Sequence, residues 1–352
     1  MSQETIYVFH KNGAVSHYYG LAYLCKQNSI KLEFREFSIF SKFYKGLIRG
    51  QFSLVKKQLI NFGFVLSLLF SSNKKIIVGI APYDSKLKLL LWILKGHKIF
   101  YHTSWACWDK SFHPKSKNNS QNIFRIWKNF LEKETVHIFT VSQKGKEGLL
   151  KNYEINPQKI SVVHHSLHQK YTIYLPQKRI PNSFIYLGRL TPDKGIRELL
   201  VFAAENPELT LTLIGAGEEE DFVKNYAKQH PNIHFEGFIL NKDKLIMNLR
   251  RHQFLVLNSK TTKKWEELFG LIIIEAMSQG TLPIAAAHSG PKEIINPQFG
   301  YLFEEGKISS ILARIMEKNP FSEEKSQRAI KYSKEYRAEK ISTYWKAILE
   351  GK

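Results

Sequence analysis

Short apolar runs alternate with helix-forming stretches through both halves of this chain, and this alternation limits the folds open to it more than any other feature. Ile6 to Phe9 reads as a strand, the turn His10-Lys11-Asn12-Gly13-Ala14 follows, and a helix is expected from about Ser16 to Gln27. Leu32 to Phe37, Lys75 to Ile80, Lys98 to Thr103, Val136 to Val141 and Ile160 to His164 continue the series as strands, with helices expected over 87–94, 123–134 and from Lys144. Ser183 to Leu187, Leu209 to Ile214, Ile233 to Phe238, Phe254 to Leu257 and Leu282 to Ala286 form a second series. Strand, turn and helix in repetition is the unit of an open parallel sheet covered by helices. At 352 residues, two domains of about 150–180 residues fit the usual size better than one core. The expected architecture is α/β, with two Rossmann-like domains facing each other across a cleft. Residues 1–168 form the first and 182–322 the second; the polar, proline-bounded segment 169–181 joins them, and 323–352 is helical and packs back toward the first domain.

Charge sets the partner classes. A formal net charge of +21 attracts polyanions, and anionic membranes and nucleic acids are the two candidates. From Ser38 to Tyr83 the chain has no acidic residue, while Lys42, Lys45, Arg49, Lys56 and Lys57 are interleaved with Phe40, Tyr44, Leu47, Phe52, Leu59 and Phe62. Two readings stay open: a helical surface lying over 40–70 against an anionic membrane, with lysine stems reaching for headgroups, or domain core with solvated lysines. Leu59 to Phe70 contains Asn61 and is read as too short to cross a bilayer. Met1 to Glu4 leads straight into the first strand without a basic leader, so no signal peptide is expected. Cys25 and Cys107 have no ligand spacing and point to a reducing compartment.

The chemistry-bearing stretch is Trp265 to Pro283, in which Glu267 and Glu275 stand eight positions apart. Gly270 lets the chain turn tightly, residues 271–279 read as a helix stopped by Gly280, Glu267 sits on the loop before it and Glu275 projects from within it. Carboxylates accept strong hydrogen bonds from sugar hydroxyls; a dipole-favoured Glu267 and an ordinary surface Glu275 are the plainer reading. Upstream, Gly188-Arg189-Leu190-Thr191-Pro192-Asp193-Lys194-Gly195 brings a guanidinium, an ammonium and backbone N–H groups to the start of a helix, a setting for a phosphate pair. Gly215-Ala216-Gly217 lacks the third glycine of the dinucleotide fingerprint, and Glu236-Gly237 offers a backbone platform for a base. In the first half, His102 lies at the end of a strand, able to donate a hydrogen bond or carry a proton near neutrality, and Trp105 and Trp108 beside it suit stacking on a sugar or an apolar tail. Residues 110–122 read as a mobile loop, and His164, His165 and His168 as hinge residues, because no carboxylate or cysteine completes a metal set.

Taken together, Gly188 to Gly195, Gly215 to Gly217, Glu236-Gly237 and the E-x7-E motif from Glu267 to Glu275 with its continuation to Pro283 resemble the GT-B fold glycosyltransferases of family 4, which are retaining and use nucleotide sugars. The resemblance is strong over 183–295 and rests mostly on strand order before 165. It implies a donor diphosphate held by Arg189 and Lys194, ribose hydroxyls on Glu275, and the transferred sugar facing Glu267 and His102. His102, Arg189, Lys194 and Glu267 would form the catalytic set, and Gly13, Gly188, Gly215, Gly237, Phe269, Gly270, Leu271 and Glu275 the nucleotide-sugar contacts. Asn12 replaces one of the two adjacent glycines that many members carry beside Gly13. No Asp-x-Asp pair appears, so no metal and no cofactor beyond the donor is expected. The resemblance favours a UDP-sugar, a glycan or lipid-linked acceptor in bacterial envelope synthesis, and a place in the cytoplasm, peripheral to the inner face of the membrane. Epimerases and phosphorylases of the same architecture are the alternatives, and a nucleic-acid module is disfavoured by the lack of any reader motif.

Overall fold

The computed structural model describes residues 3–11, 13–111, 113–114, 120–262 and 266–350. Asn12, Trp265 and part of the 110–122 loop, all named above, lie outside the described residues. The chain divides into two compact units, Met1–Ser166 with Ala338–Lys352, and Leu167–Arg337.

The first unit holds a six-stranded sheet in the order β2-β1-β3-β4-β5-β6, from β1 (Thr5–His10), β2 (Lys31–Glu36), β3 (Lys75–Gly79), β4 (Lys98–Thr103), β5 (Thr135–Thr140) and β6 (Ile160–Val162). Every pairing is parallel, with Val8 lying between Phe34 and Ile77. Its central strands are buried on both faces, which is why they read as unbroken apolar runs instead of alternating ones. Ile341, Trp345 and Ile348 from the last segment join Ile6, Val8, Leu21 and Phe139 in one core. Burying each such side chain contributes roughly 1.5–3 kcal/mol, enough to tie the end of the chain to this unit. The return falls between Arg337 and Ala338, so the helix Glu323–Ser333 belongs to the second unit.

Two helices, Ile39–Ile48 and Phe52–Leu69, follow β2. The second has 18 residues and is long and apolar enough to cross a membrane, with a mean hydropathy of 1.3. This corrects the sequence expectation, which began the segment at Leu59 and missed its first turns. Its buried stripe is Gln58, Asn61, Phe64 and Leu68. Glu36, buried at the end of β2, accepts 2.8 Å bonds from Lys42 and Lys57 and a 3.3 Å bond from Gln58, and donates its backbone N–H to Asn61 at 3.3 Å. Against the burial that would raise it, these bonds hold the Glu36 carboxyl below its usual range. The amides face protein, and the helix lies along the unit.

The second unit has the order β12-β11-β10-β7-β8-β9, from β7 (Ser183–Leu187), β8 (Thr210–Ile214), β9 (Ile233–Phe235), β10 (Phe254–Leu257), β11 (Leu282–Ala286) and β12 (Tyr301–Phe303). It is parallel throughout, and Leu255 lies between Ile185 and Pro283. The helices Lys242–Arg251 and Ile308–Lys318 and strand β12 were not anticipated. In such sheets the order reverses at one point, between β1 and β3 in the first unit and between β7 and β10 in the second. Ligands bind beyond the carboxyl ends of the strands there.

Candidate active site

In the second unit the reversal point brings the loop after β7 against the loop after β10. Lys194 ends a short 3-10 turn, Pro192–Lys194, and Gly195 takes a left-handed φ of 60° before the helix Ile196–Glu205. A Cβ on Gly195 would lie 2.4 Å from the Asn258 side chain, whose amide donates to the Gly195 carbonyl at 2.9 Å. Lys260 N donates to the Asp193 carbonyl at 2.7 Å. These contacts fix the backbone on which Lys194 stands.

Lys194 is buried, and its Nζ donates to Glu267 at 3.0 Å and to Ser259 Oγ at 3.3 Å. Glu267 is held in turn: its N–H donates to His288 Nδ1 at 3.2 Å and its carbonyl accepts from Gly290 N at 3.0 Å. Thus the structure joins two residues 73 positions apart into one ion pair. Arg189 behaves differently: its guanidinium is largely exposed and lies 3.8 Å from Asp193. Its carbonyl accepts from the Tyr186 hydroxyl at 2.6 Å, which anchors the backbone beneath the exposed side chain.

The Gly188 and Gly215 loops are zipped together by Gly188 N to Ile214 O and Leu190 N to Ala216 O, both 3.0 Å. A Cβ on Gly215 would meet the Gly188 carbonyl at 1.8 Å, so no other residue allows this approach. Gly215 N donates to the Gly237 carbonyl at 2.9 Å, bringing the third glycine loop alongside. Between these loops opens an apolar cavity of about 360 Å³, bounded by Gly188, Arg189, Gly215, Ala216, Phe238 and Leu245.

Gly270, at φ 83°, starts the helix Leu271–Ser278, whose Ile273, Ile274, Ala276 and Met277 are buried. Glu275 is half-buried on that helix, and burial pushes its carboxyl up to about 7, opposed by the charge of Lys242. Leu271 is half-buried and Phe269 is core, its ring 6.1 Å from Tyr336. The helix is clamped at its far end by Arg179, which donates to the carbonyls of Arg250 at 2.9 Å, His252 at 2.6 Å and Gln279 at 2.8 Å. In the sequence this stretch reads as a plain connection, because nothing local to Arg179 signals partners 71 to 100 residues away. Ser259 and Asn258 were missed for the same reason.

In the first unit, Gly13 has φ 94°, and the ring of His10 covers Gly79, so that the ends of β1 and β3 meet. His102 is buried at the end of β4, with Nδ1 in a 3.0 Å bond with the Tyr18 hydroxyl. Its Nε2 is buried with no hydrogen-bond partner among the described residues. Burial, then the nearby His17 and His10, drive its pKa well below the ordinary value. The ring is therefore neutral at pH 7, which leaves hydrogen bonding and removes the alternative of carrying a proton near neutrality. His165, read above as a hinge residue, packs its ring 4.2 Å from His17 and 6.2 Å from His102. Trp105 and Trp108 are buried, Trp108 against Tyr83, Tyr101 and Tyr153. They are core, which corrects the expectation that they stack on a ligand. Among the described residues, no group of three His, Cys, Asp or Glu side chains converges as a metal site.

Residues 175–336 match the family described as glycosyl transferases group 1. An uncharacterized glycosyltransferase of Haemophilus influenzae is 30% identical over 177 residues, 47% of this chain and 48% of that protein. The O-antigen biosynthesis glycosyltransferase WbnH of Escherichia coli is 27% identical over 178 residues, 49% of each. The chain thus spans about half the length of these curated relatives. Among solved structures, sucrose-phosphate synthase from Thermosynechococcus elongatus matches with a TM-score of 0.72 at 15% identity, over 99% of this chain and 98% of that one. Anabaena HepE, in a complex with UDP, matches with a TM-score of 0.67 at 16% identity, over 98% and 99%. At these identities the likeness concerns fold. The two parallel sheets flanked by helices are those of the GT-B fold, and the likeness to group 1 glycosyl transferases lies in the second unit, over residues 175–336.

Proposed function

We propose that the protein is a retaining glycosyltransferase of family 4 that moves a hexosyl group from a UDP-sugar to a hydroxyl of a glycan or lipid-linked acceptor in envelope polysaccharide synthesis. The observation that carries this reading is the pair of buried Lys194 and half-buried Glu267 at the start of a helix, at the reversal point of the second sheet. As the bond from the anomeric carbon to the diphosphate oxygen breaks, negative charge grows on the leaving oxygens. Lys194, Arg189 and the N–H groups opening the helix Ile196–Glu205 stabilise it there. Glu267, oriented by Lys194, and the neutral His102 position the sugar. The acceptor oxygen attacks on the face that the diphosphate leaves, and the leaving phosphate takes the acceptor proton, which retains configuration. Glu275 receives the ribose hydroxyls, Gly13 and the backbone at Phe269, Gly270 and Leu271 line the donor, and the apolar cavity beside Gly188, Gly215 and Gly237 receives the base.

HepE in complex with UDP-glucose supports the donor class, and WbnH supports envelope polysaccharide as the product. The protein would work in the cytoplasm, peripheral to the inner face of the membrane. Calorimetric titration with UDP, GDP and ADP without added metal, repeated on Glu275→Ala, tests the site. Binding of UDP that the variant loses is the expected result; absence of binding to all three would remove the phosphate and ribose assignments.

A further inference from the structure

The two helices after β2 bury a narrow stripe and leave most of their apolar surface exposed. The helix Phe52–Leu69 buries the amides of Gln58 and Asn61, and only 22% of it is buried in all. Phe64 and Leu68 pack inward beside those amides, while other large apolar side chains face solvent: Phe52 is 82% exposed, Leu59 56% and Ile60 50%. Phe70 just beyond is 88% exposed, and Phe40 on the preceding helix 79%. The next helix in the chain, Leu87–Ile93, packs beside it and adds Trp92, 63% exposed. Isolated exposed apolar residues are ordinary, but contiguous ones on neighbouring helices mark a contact surface.

Charge decides what that surface meets. Among the exposed residues of these helices and their connections are Lys45, Arg49, Lys56, Lys86 and Lys88, and no acidic residue stands between Ser38 and Tyr83. The carboxylates flanking this stretch are both buried: Glu36 is engaged by Lys42 and Lys57, and Asp84 accepts from Lys86 N at 3.0 Å. A protein partner of ordinary composition does not call for a face with one sign of charge around an apolar centre, whereas an anionic bilayer does: headgroups meet the lysines and acyl chains meet the aromatic rings. The helix is long enough to span a bilayer, at about 27 Å for 18 residues. The buried bonds of Gln58 and Asn61 nevertheless seat it on the sheet, so that it lies flat.

We propose that the helices Ile39–Ile48, Phe52–Leu69 and Leu87–Ile93 form a docking face for an anionic lipid bilayer, with Phe40, Phe52, Phe70 and Trp92 entering the headgroup region. This specifies the peripheral placement proposed above, and it is read without a sugar donor, so it stands or falls separately from the transferase assignment. The Glu36 contacts give the face its rigidity: they lock both longer helices to the end of β2, next to the turn at Gly13.

The test is co-sedimentation of the full chain with vesicles of phosphatidylcholine alone and of phosphatidylcholine mixed with phosphatidylglycerol, at low and high salt. Binding to the anionic vesicles, weakened by salt, is expected. Combining Lys45→Gln, Arg49→Gln and Lys56→Gln should lower partitioning roughly fivefold per charge, on the order of a hundredfold in all. Phe52→Ser with Phe70→Ser should lower it at either salt concentration. All five positions are exposed, so folding is checked simply by an unchanged circular dichroism melt. A vesicle-induced blue shift of tryptophan emission that Trp92→Phe abolishes places that ring in the lipid. Equal binding to both vesicle types, or none to either, overturns the proposal. So does a stable dimer in lipid-free solution that Phe52→Ser with Phe70→Ser dissociates, since the face would then belong to a second copy.

Discussion

The two units share a parallel six-stranded plan and handle charge in opposite ways. In the second, cations close on carboxylates around the glycine loops: Lys194 on Glu267, Arg197 on Glu219, Lys260 on Glu198, Lys244 on Glu236. In the first, the helices after β2 carry basic groups with one buried carboxylate between them, and burial lowers the pKa values of its end-of-strand histidines, the half-buried His10 to about 4 and the buried His102 well below the ordinary value. In the second unit these carboxylates hold their cations in place, while the Arg189 guanidinium stays exposed. In the first, the helices after β2 display their basic groups outward. One fold plan thus carries two arrangements of charge, decided by where the carboxylates stand.

The largest expected effect breaks the second unit's arrangement. Lys194→Ala should lower turnover about 10²–10³-fold, the usual cost of removing a donor aimed at developing negative charge. Arg189→Ala, which removes a solvated guanidinium, should cost less but more than about tenfold. His102→Ala in the first unit should cost less than either, since a neutral ring orients without neutralising. Steady-state release of UDP from the sugar donor measures all three. Wild-type turnover in both cationic variants would sink the assignment of the diphosphate site.

A smaller effect compares one substitution in the two sheets. Gly215→Ala drives a Cβ to 1.8 Å from the Gly188 carbonyl, which is backbone and cannot turn away, whereas Gly79→Ala meets the His10 ring at 2.2 Å, which can. The first should destabilise by about 3 kcal/mol and the second by about 1 kcal/mol. Urea denaturation followed by circular dichroism reads the difference. Equal costs would show that the two glycines are alike and that the zipped loops are not the tighter place.

These contrasts also explain what was legible beforehand. The strands were readable because a doubly covered parallel strand is an unbroken apolar run: Ser183 to Leu187 and Leu282 to Ala286 were placed to the residue. The glycine loops and Gly270 were readable because their chemistry is local. What escaped depends on distant pairs. Arg179 looks like any basic residue in a connection until the carbonyls of Arg250, His252 and Gln279 surround it. Trp105 and Trp108 looked like a stacking platform because sequence shows the aromatic residue and not Tyr83 and Tyr153 packed over it. The helix Lys242–Arg251 carries too few apolar residues to stand out between two strands, its buried side reduced to Ile246, Asn248 and Leu249.

Glu275 offers the finest test of the contrast, because it is the carboxylate in the second unit that burial, not a cation in contact, controls. Burial raises its carboxyl to about 7, against about 4.3 in an unfolded chain. The folded chain therefore binds more protons than the unfolded one between those values. Stability falls as pH rises through this window, and the cost is complete above about 7. Ligand binding runs the other way. Ribose hydroxyls donate to the ionised carboxylate, so UDP affinity should rise with pH, by up to about tenfold between pH 6 and pH 8 as the ionised fraction climbs from about 0.1 to about 0.9. UDP titrates as well, so the informative quantity is the difference between wild type and Glu275→Gln, which carries a similar shape without the ionisation. Calorimetry at both pH values, in buffers of different ionisation heats, should show proton release on binding to wild type that the variant lacks. A variant with the same pH slope as wild type would mean that Glu275 does not meet the ribose and that its shifted carboxyl reflects burial alone.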